Sequence, residues 1–256
     1  MSLLEVSHLA KSFGGVQAVA DVSFKLGAGE LLALIGPNGA GKSTCFNLLN
    51  GQLRPDAGSV RLDGRDITGR PPREIWRLGV GRTFQVTATY GSMTVRENVQ
   101  MVLLSRARRL FDLWRPAGQL FREEAMMLLG CVGMADQALR PCSLLAYGDL
   151  KRVELAMALA SEPRLLLMDE PTAGMAPRER NELMALTADL TRESGLGVLF
   201  TEHSMDVVFT YAKRVMVMAR GRIVAQGEPA SVRDDPQVQE VYLGTGASFR
   251  ARAGIA

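Results

Sequence analysis

Residues 36–44 read GPNGAGKST, and each residue type there suits the holding of a polyphosphate. Gly36, Gly39 and Gly41 allow the backbone to curl with its N–H groups turned inward, where a Cβ would obstruct an approaching anion. Pro37, Asn38 and Ala40 fill the turns between them. Lys42 supplies a cation able to reach the β- and γ-phosphates, the Ser43 hydroxyl suits Mg²⁺, and Thr44 continues the motif into a helix. The run LLALI before the loop and CFNLL after it give the order strand, glycine loop, helix. A helix start adds unpaired N–H groups and the positive end of a dipole. A chance glycine-rich turn would need none of this order. The stretch reads as a nucleoside triphosphate site.

Phosphoryl transfer asks for charge neutralisation and a positioned nucleophile more than for covalent chemistry. Asp169 closes the apolar run LLLM, where a P-loop fold places the carboxylate of its metal site, and Glu170 beside it is placed to polarise a water. The same pair could instead be acidic charge at a helix N-terminus. His203 follows VLFTE and would face the γ-phosphate; the alternative for a lone strand-end histidine is a structural role. Gln85 ends GVGRTFQ with a neutral amide able to coordinate metal or water. Phe13, beside Gly14 and Gly15 and upstream of the phosphate loop, is either a core aromatic or a face on which adenine stacks.

These groups need a scaffold. Residues 3–24 alternate apolar and polar, as short antiparallel strands joined by a turn at 11–15, and 58–64 reads as a second small hairpin. A short helix at 74–78 and a strand at 79–85 follow. From 94 to about 161 helix formers dominate, an inserted helical subdomain interrupted at 116–118 by PAG. Within it Arg106, Arg108, Arg109, Arg115 and Arg122, with Phe111 and Trp114, are either a solvated helix face or a contact for lipid headgroups or an acidic loop. Residues 165–168 and 197–200 are short all-apolar strands, buried on both faces as in parallel sheets, with an amphipathic helix over 178–192 between them. A hairpin closed at Arg220-Gly221, a last helix over 238–242 and a flexible tail over 247–256 complete the chain. The alternation predicts an α/β fold: a P-loop NTPase core with a parallel sheet, an N-terminal antiparallel β-subdomain and an inserted α-helical subdomain.

Composition agrees with a globular protein: 47% of the 256 residues are hydrophobic and 22% charged. The net charge of +3, from 30 basic and 27 acidic residues, is too balanced to argue for nucleic acid, and none is expected as a partner. No apolar stretch approaches the roughly 20 residues that span a bilayer. The start lacks the basic-then-apolar pattern of a signal peptide, so membrane contact is expected to be peripheral. Cys45, Cys131 and Cys142 have no metal-type spacing and read as reduced thiols, Cys45 beneath the phosphate loop.

The ordered set GPNGAGKST, RTFQ, LLAYGDLKRVELAMALA, LLLMDEPTAG and LFTEH resembles the ATP-binding subunits of ABC transporters, over nearly the whole chain. The resemblance implies a single ATP-binding domain over 1–246, with its helical subdomain at about 94–161. It implies ATP and Mg²⁺ as cofactors, Phe13 as the adenine-stacking residue, Glu170 as catalytic base, His203 as switch histidine and Lys42 on the phosphates. It makes Gln85 the Q-loop residue, with Ser43, Gln85 and Asp169 around the metal. Ala146, Tyr147 and Gly148 become the signature that holds ATP across a dimer. Ser12-Phe13-Gly14-Gly15, RTFQ, the AYG signature and the ending VYLG are similar to the larger ATPase subunit of branched-chain amino acid importers. That implies transmembrane permeases, a second ATP-binding subunit (different or identical), a periplasmic solute-binding protein acting indirectly, and a place on the cytoplasmic face of the inner membrane.

The chain departs from the common pattern at Ala146, where Ser is usual, at Ala176, where Asp or Asn is usual, and at Asp149-Leu150. In the same family, the ATPase of a lipopolysaccharide exporter is the alternative; it shares the ending, but its signature usually has Ser-Gly-Gly. A stand-alone nucleotide kinase would need no signature. An ATPase acting on nucleic acid would want a coiled coil or a second ATPase domain, and the sequence has neither.

Overall fold

The computed structural model describes residues 2–83, 89–108 and 119–243. The chain opens with β1 (Ser2–Phe13) and β2 (Val16–Gly27), paired antiparallel and closed at Gly14-Gly15. β3 (Leu31–Ile35) leads into the phosphate loop and α1 (Lys42–Leu49). β4 (Ala57–Leu62) pairs antiparallel with β1 and, across Asp63-Gly64, with β5 (Arg65–Asp66), so the small hairpin expected at 58–64 has its turn there and extends to Asp66. α2 (Pro72–Arg77) and β6 (Val80–Thr83) precede residues 84–88, so Gln85 lies outside the described residues.

The next segment is helical, as its composition predicts: α3 (Val95–Arg106), α4 (Arg122–Cys131) and α5 (Tyr147–Leu159). A capping box opens α3. Glu97 N–H donates to the Thr94 hydroxyl at 3.3 Å, while the Glu97 carboxylate accepts from Thr94 N–H at 2.8 Å, satisfying two otherwise orphaned donors. Arg106 leaves the expected basic patch. It pairs with Glu124 at 2.6 Å and Glu162 at 2.9 Å, clasping α3 to α4 and to the turn after α5. Arg109, Phe111, Trp114, Arg115 and the PAG interruption lie outside the described residues.

The chain then alternates: β7 (Leu165–Asp169), α6 (Pro177–Ser194), β8 (Gly197–Thr201), α7 (Met205–Tyr211), β9 (Arg214–Ala219) and β10 (Arg222–Gly227). Two short helices, α8 (Pro229–Arg233) and α9 (Pro236–Leu243), end the described chain; the tail over 247–256 lies beyond it. The larger sheet runs β10-β9-β3-β8-β7-β6, parallel except for β10; the smaller is β2-β1-β4-β5. All-apolar strands suit this arrangement because successive side chains point to opposite faces and both faces are covered. Leu31, Ala33 and Ile35 of β3 join one core cluster with α3–α5 and α6, while Leu32 and Leu34 join the other with α1 and the smaller sheet. Because β3, β8, β7 and β6 are parallel, the residues at their C-terminal ends share one edge of the sheet. That edge is where open α/β sheets hold ligands.

Candidate functional site

The phosphate loop leaves β3 at that edge. Gly36 has φ 153° and Gly41 φ 105°; a Cβ on Gly36 would strike the Met218 carbonyl, and one on Gly41 the Ala18 carbonyl. The loop is therefore seated between β9 and β2, closer than any side chain allows. Gly221 N–H donates to Ala40 O at 3.0 Å, tying it to the β9–β10 turn. α1 has no side-chain cap at Gly41, so its first N–H groups are free for an anion. Lys42 is buried, and its ammonium donates to Gly36 O (2.8 Å) and Pro37 O (3.1 Å). Burial pulls its pKa below the usual lysine value, and the charges of Glu170 and Asp169 partly oppose this. Phosphate charge in the cradle would favour the cation further. Cys45, on α1, is fully buried, and burial pushes its thiol up to about 12.

Asp169, Glu170 and His203 arrive from the neighbouring strands. The Thr201 hydroxyl donates to Asp169 Oδ1 at 2.9 Å, and Arg82 Nη2 donates to Oδ2 at 3.1 Å. Glu170 stands just past the strand end at φ 48°, a left-handed backbone that costs a side-chain-bearing residue roughly 1–2 kcal/mol. Its N–H is held by Thr201, through the carbonyl at 3.2 Å and the hydroxyl at 3.0 Å. His203 Nε2 and Glu170 Oε1 share a hydrogen bond of 2.9 Å. Glu202, 3% exposed, takes the N–H and hydroxyl of Thr172 and so fastens the two loops that carry Glu170 and His203 to each other. Strain held in place by this much surrounding bonding is of the kind that clusters at active sites and ligand clamps.

Ala18, Asn38, Gly39, Ala40, Gly41, Lys42, Ser43, Thr44, Glu170 and His203 line one cleft of about 220 Å³. The reading of Asp169 and Glu170 as mere charge at a helix start does not hold: no helix begins until Pro177. Phe13 is 46% exposed at the tip of β1, with the Lys11 ammonium 5.6 Å from its ring centre, so its reading as a core residue is overturned. Ala146, Tyr147 and Gly148 sit apart from that cleft, at the start of α5; Ala146 is its N-cap and Tyr147 is 40% exposed. One chain brings the glycine loop, Lys42, Glu170 and His203 to one cleft but holds the AYG turn elsewhere. Arg82, Thr201 and Glu202 were not singled out by the sequence. Each lies in or beside a motif already noted, but the pairing that gives it a role crosses between strands and has no linear signal.

The sequence profile of a family described as ABC transporter matches residues 19–173, from β2 past Glu170. The chain belongs to the ABC transporter family. A second family, described as branched-chain amino acid ATP-binding cassette transporter, matches residues 222–248. Among similar proteins, the high-affinity branched-chain amino acid transport ATP-binding protein BraF of Pseudomonas aeruginosa is 40% identical over 252 residues, covering 94% of this chain and 98% of that protein. LivG of Escherichia coli, named in the same words, is 38% identical over 249 residues, with 94% and 98% covered. The solved ADP conformation of an ATP-binding cassette of an ABC transporter is 33% identical, has a TM-score of 0.85, and spans 95% of this chain and 99% of that one. This ABC ATPase therefore binds and hydrolyses ATP, and the family implies membrane permeases as partners and peripheral attachment. Among the described residues no helix is long and apolar enough to cross a membrane.

Proposed function

We propose that the protein is the ATP-hydrolysing subunit of an importer for branched-chain amino acids, working at the cytoplasmic face of the inner membrane. The His203–Glu170 hydrogen bond beside the phosphate loop carries the hydrolytic part of this reading, and the named relatives, similar over their whole length, support the solute class. Neither of those relatives is named as a lipopolysaccharide exporter, and nothing favours that alternative.

In the proposed reaction the loop N–H groups and Lys42 hold the triphosphate, with Asn38, Gly39 and Gly41 forming the turn around it. Phe13 offers an exposed ring to adenine. Glu170 accepts the proton of the attacking water, and His203 fixes the carboxylate and faces the γ-phosphate. Ser43 and Asp169 are oxygen donors of the kind Mg²⁺ takes alongside substrate phosphates, with Gln85 a third by resemblance. Bound there, the ion would neutralise charge developing on the phosphate oxygens. The AYG turn of each subunit closes on the other's ATP, so the working unit is a dimer, with a second and different ATP-binding subunit. A groove of about 260 Å³ at the junction of α2, β6 and α5, lined by Trp76, Val80, Val102 and Met157, is suited to a permease segment. A periplasmic solute-binding protein delivers the cargo on the far side.

Co-purification from membranes should recover two permeases and a second ATPase subunit, identified by mass spectrometry. Proteoliposomes holding that complex should accumulate radiolabelled leucine when ATP is enclosed with this subunit and the binding protein is outside. Uptake of a different solute class, with none of leucine, isoleucine or valine, would overturn the assignment.

A further inference from the structure

The RTFQ segment contributes more than its glutamine. Arg82 lies on β6, separated from the phosphate loop strand β3 by two strands in the sheet order, with its side chain 11% exposed. Its guanidinium is divided between two elements. Nη2 donates to Asp169 Oδ2 at 3.1 Å, on β7; Nη1 donates to Asn47 Oδ1 at 2.7 Å, on α1, and to Gln52 Oε1 at 3.2 Å just beyond it. α1 is the helix that starts at Lys42 and carries Ser43. The planar fork therefore spans from the carboxylate at the end of β7 to the helix that presents the phosphate loop. Thr201 holds the other oxygen of Asp169. The carboxylate is thus fixed on both sides, and the lone pairs not used by these donors remain for a further ligand. Burial weighs against the charge of Arg82, and the neighbouring Asp169 partly offsets this.

We propose that Arg82 is a positioning residue, setting the Asp169 carboxylate at a fixed place relative to Ser43 on α1. The inference rests on the reading of Ser43 and Asp169 as the Mg²⁺ donors. An oxygen donor held by an outer partner binds metal in one orientation; without the partner the carboxylate swings, and metal affinity or activity typically falls about 10- to 100-fold. Lysine keeps the charge but not the fork, and cannot reach Asp169 and Asn47 at once in the same geometry. Arg82 is also among the residues lining the groove beside α2 and α5, so the same residue borders that surface and the proposed metal site.

The test compares wild type with Arg82→Gln, Arg82→Lys, Thr201→Val and Asp169→Asn. ATP affinity is measured by fluorescence titration in EDTA and then across a Mg²⁺ series, and hydrolysis is followed in the assembled complex. Thermal unfolding reports whether each variant is folded. Metal-free ATP affinity should stay within about twofold of wild type in both Arg82 variants. The Mg²⁺ concentration giving half of the full effect should rise about tenfold or more, with Arg82→Lys failing to rescue it and Thr201→Val giving a smaller shift in the same direction. Wild-type Mg²⁺ dependence in Arg82→Gln, with Asp169→Asn impaired, would overturn the role of Arg82. Metal-free affinity falling as much as the Mg²⁺ response would also overturn it, because Arg82 would then merely support α1. An unimpaired Asp169→Asn would overturn the metal reading itself.

Discussion

At the scale of single residues, placement was readable wherever a polar residue closes or follows an apolar run. Lys42, Asp169, Glu170 and His203 were legible because each terminates or follows an apolar run, and parallel strands bring such ends to one edge. Phe13 was not decidable in sequence, since an aromatic beside two glycines fits a core as well as a ligand face; its 46% exposure removes the first option. Adenine stacking on an aromatic face is worth roughly 1–3 kcal/mol per base. Phe13→Ala should therefore weaken ATP binding by about 5- to 150-fold and leave binding of inorganic triphosphate unchanged. Calorimetric titration with both ligands checks this, and equal loss for the two would remove Phe13 from the site. Arg82 was illegible as a functional group for the opposite reason: its partners lie 35 and 87 positions away along the chain.

At the scale of elements, the short all-apolar strands and the amphipathic α6 followed from period and composition, while α7 and α8 did not. α7 contains Val207, Val208, Phe209 and Thr210, β-branched and aromatic residues with weak helix preference, and forms by packing against α6 and the core. α8 has Pro229 at its first position, a start signal that five residues do not make persuasive. Ala176 gives α6 no side-chain cap, and Glu179 compensates by accepting from the Ala176 N–H at 3.2 Å. The fuller cap on α3 is testable. Thr94→Ala should lower stability to urea by about 1 kcal/mol at pH 7. The Thr94 N–H and hydroxyl hold the Glu97 carboxyl below its ordinary 4.5. A depressed carboxylate stabilises the fold above its unfolded pKa, and the contribution is lost as pH falls through the folded value. Thr94→Ala keeps the N–H and removes only the hydroxyl, so the share of the gap owed to the hydroxyl–Glu97 bond should fade below about pH 4.5; a gap that stays constant with pH would show that this hydroxyl does not stabilise the Glu97 carboxylate.

At the scale of the whole molecule, the AYG turn lies apart from the chain's own cleft, an arrangement that the proposed dimer would use. Ala146 offers no hydroxyl to a phosphate. A hydrogen bond to a charged group is worth roughly 1.5–3 kcal/mol, part of which water and the N–H groups of Tyr147 and Gly148 recover. The two ATP sites of a heterodimer should then be unequal, the weaker using this chain's Ala146. With Glu170→Gln silencing this chain's own site, adding Ala146→Ser should raise hydrolysis at the partner's site by up to about tenfold, equivalent to 1.4 kcal/mol. No change would place the holding entirely on backbone N–H groups. The central claim is that Glu170, on its strained backbone beside His203, is the base that turns bound ATP into hydrolysed ATP. Its most direct measurement is single-turnover hydrolysis by the assembled complex carrying Glu170→Gln, alongside equilibrium ATP binding to the same preparation. The amide keeps the shape but cannot accept the proton. Binding should match wild type, while cleavage at this chain's site falls by at least about 100-fold. Cleavage at the wild-type rate would contradict the account.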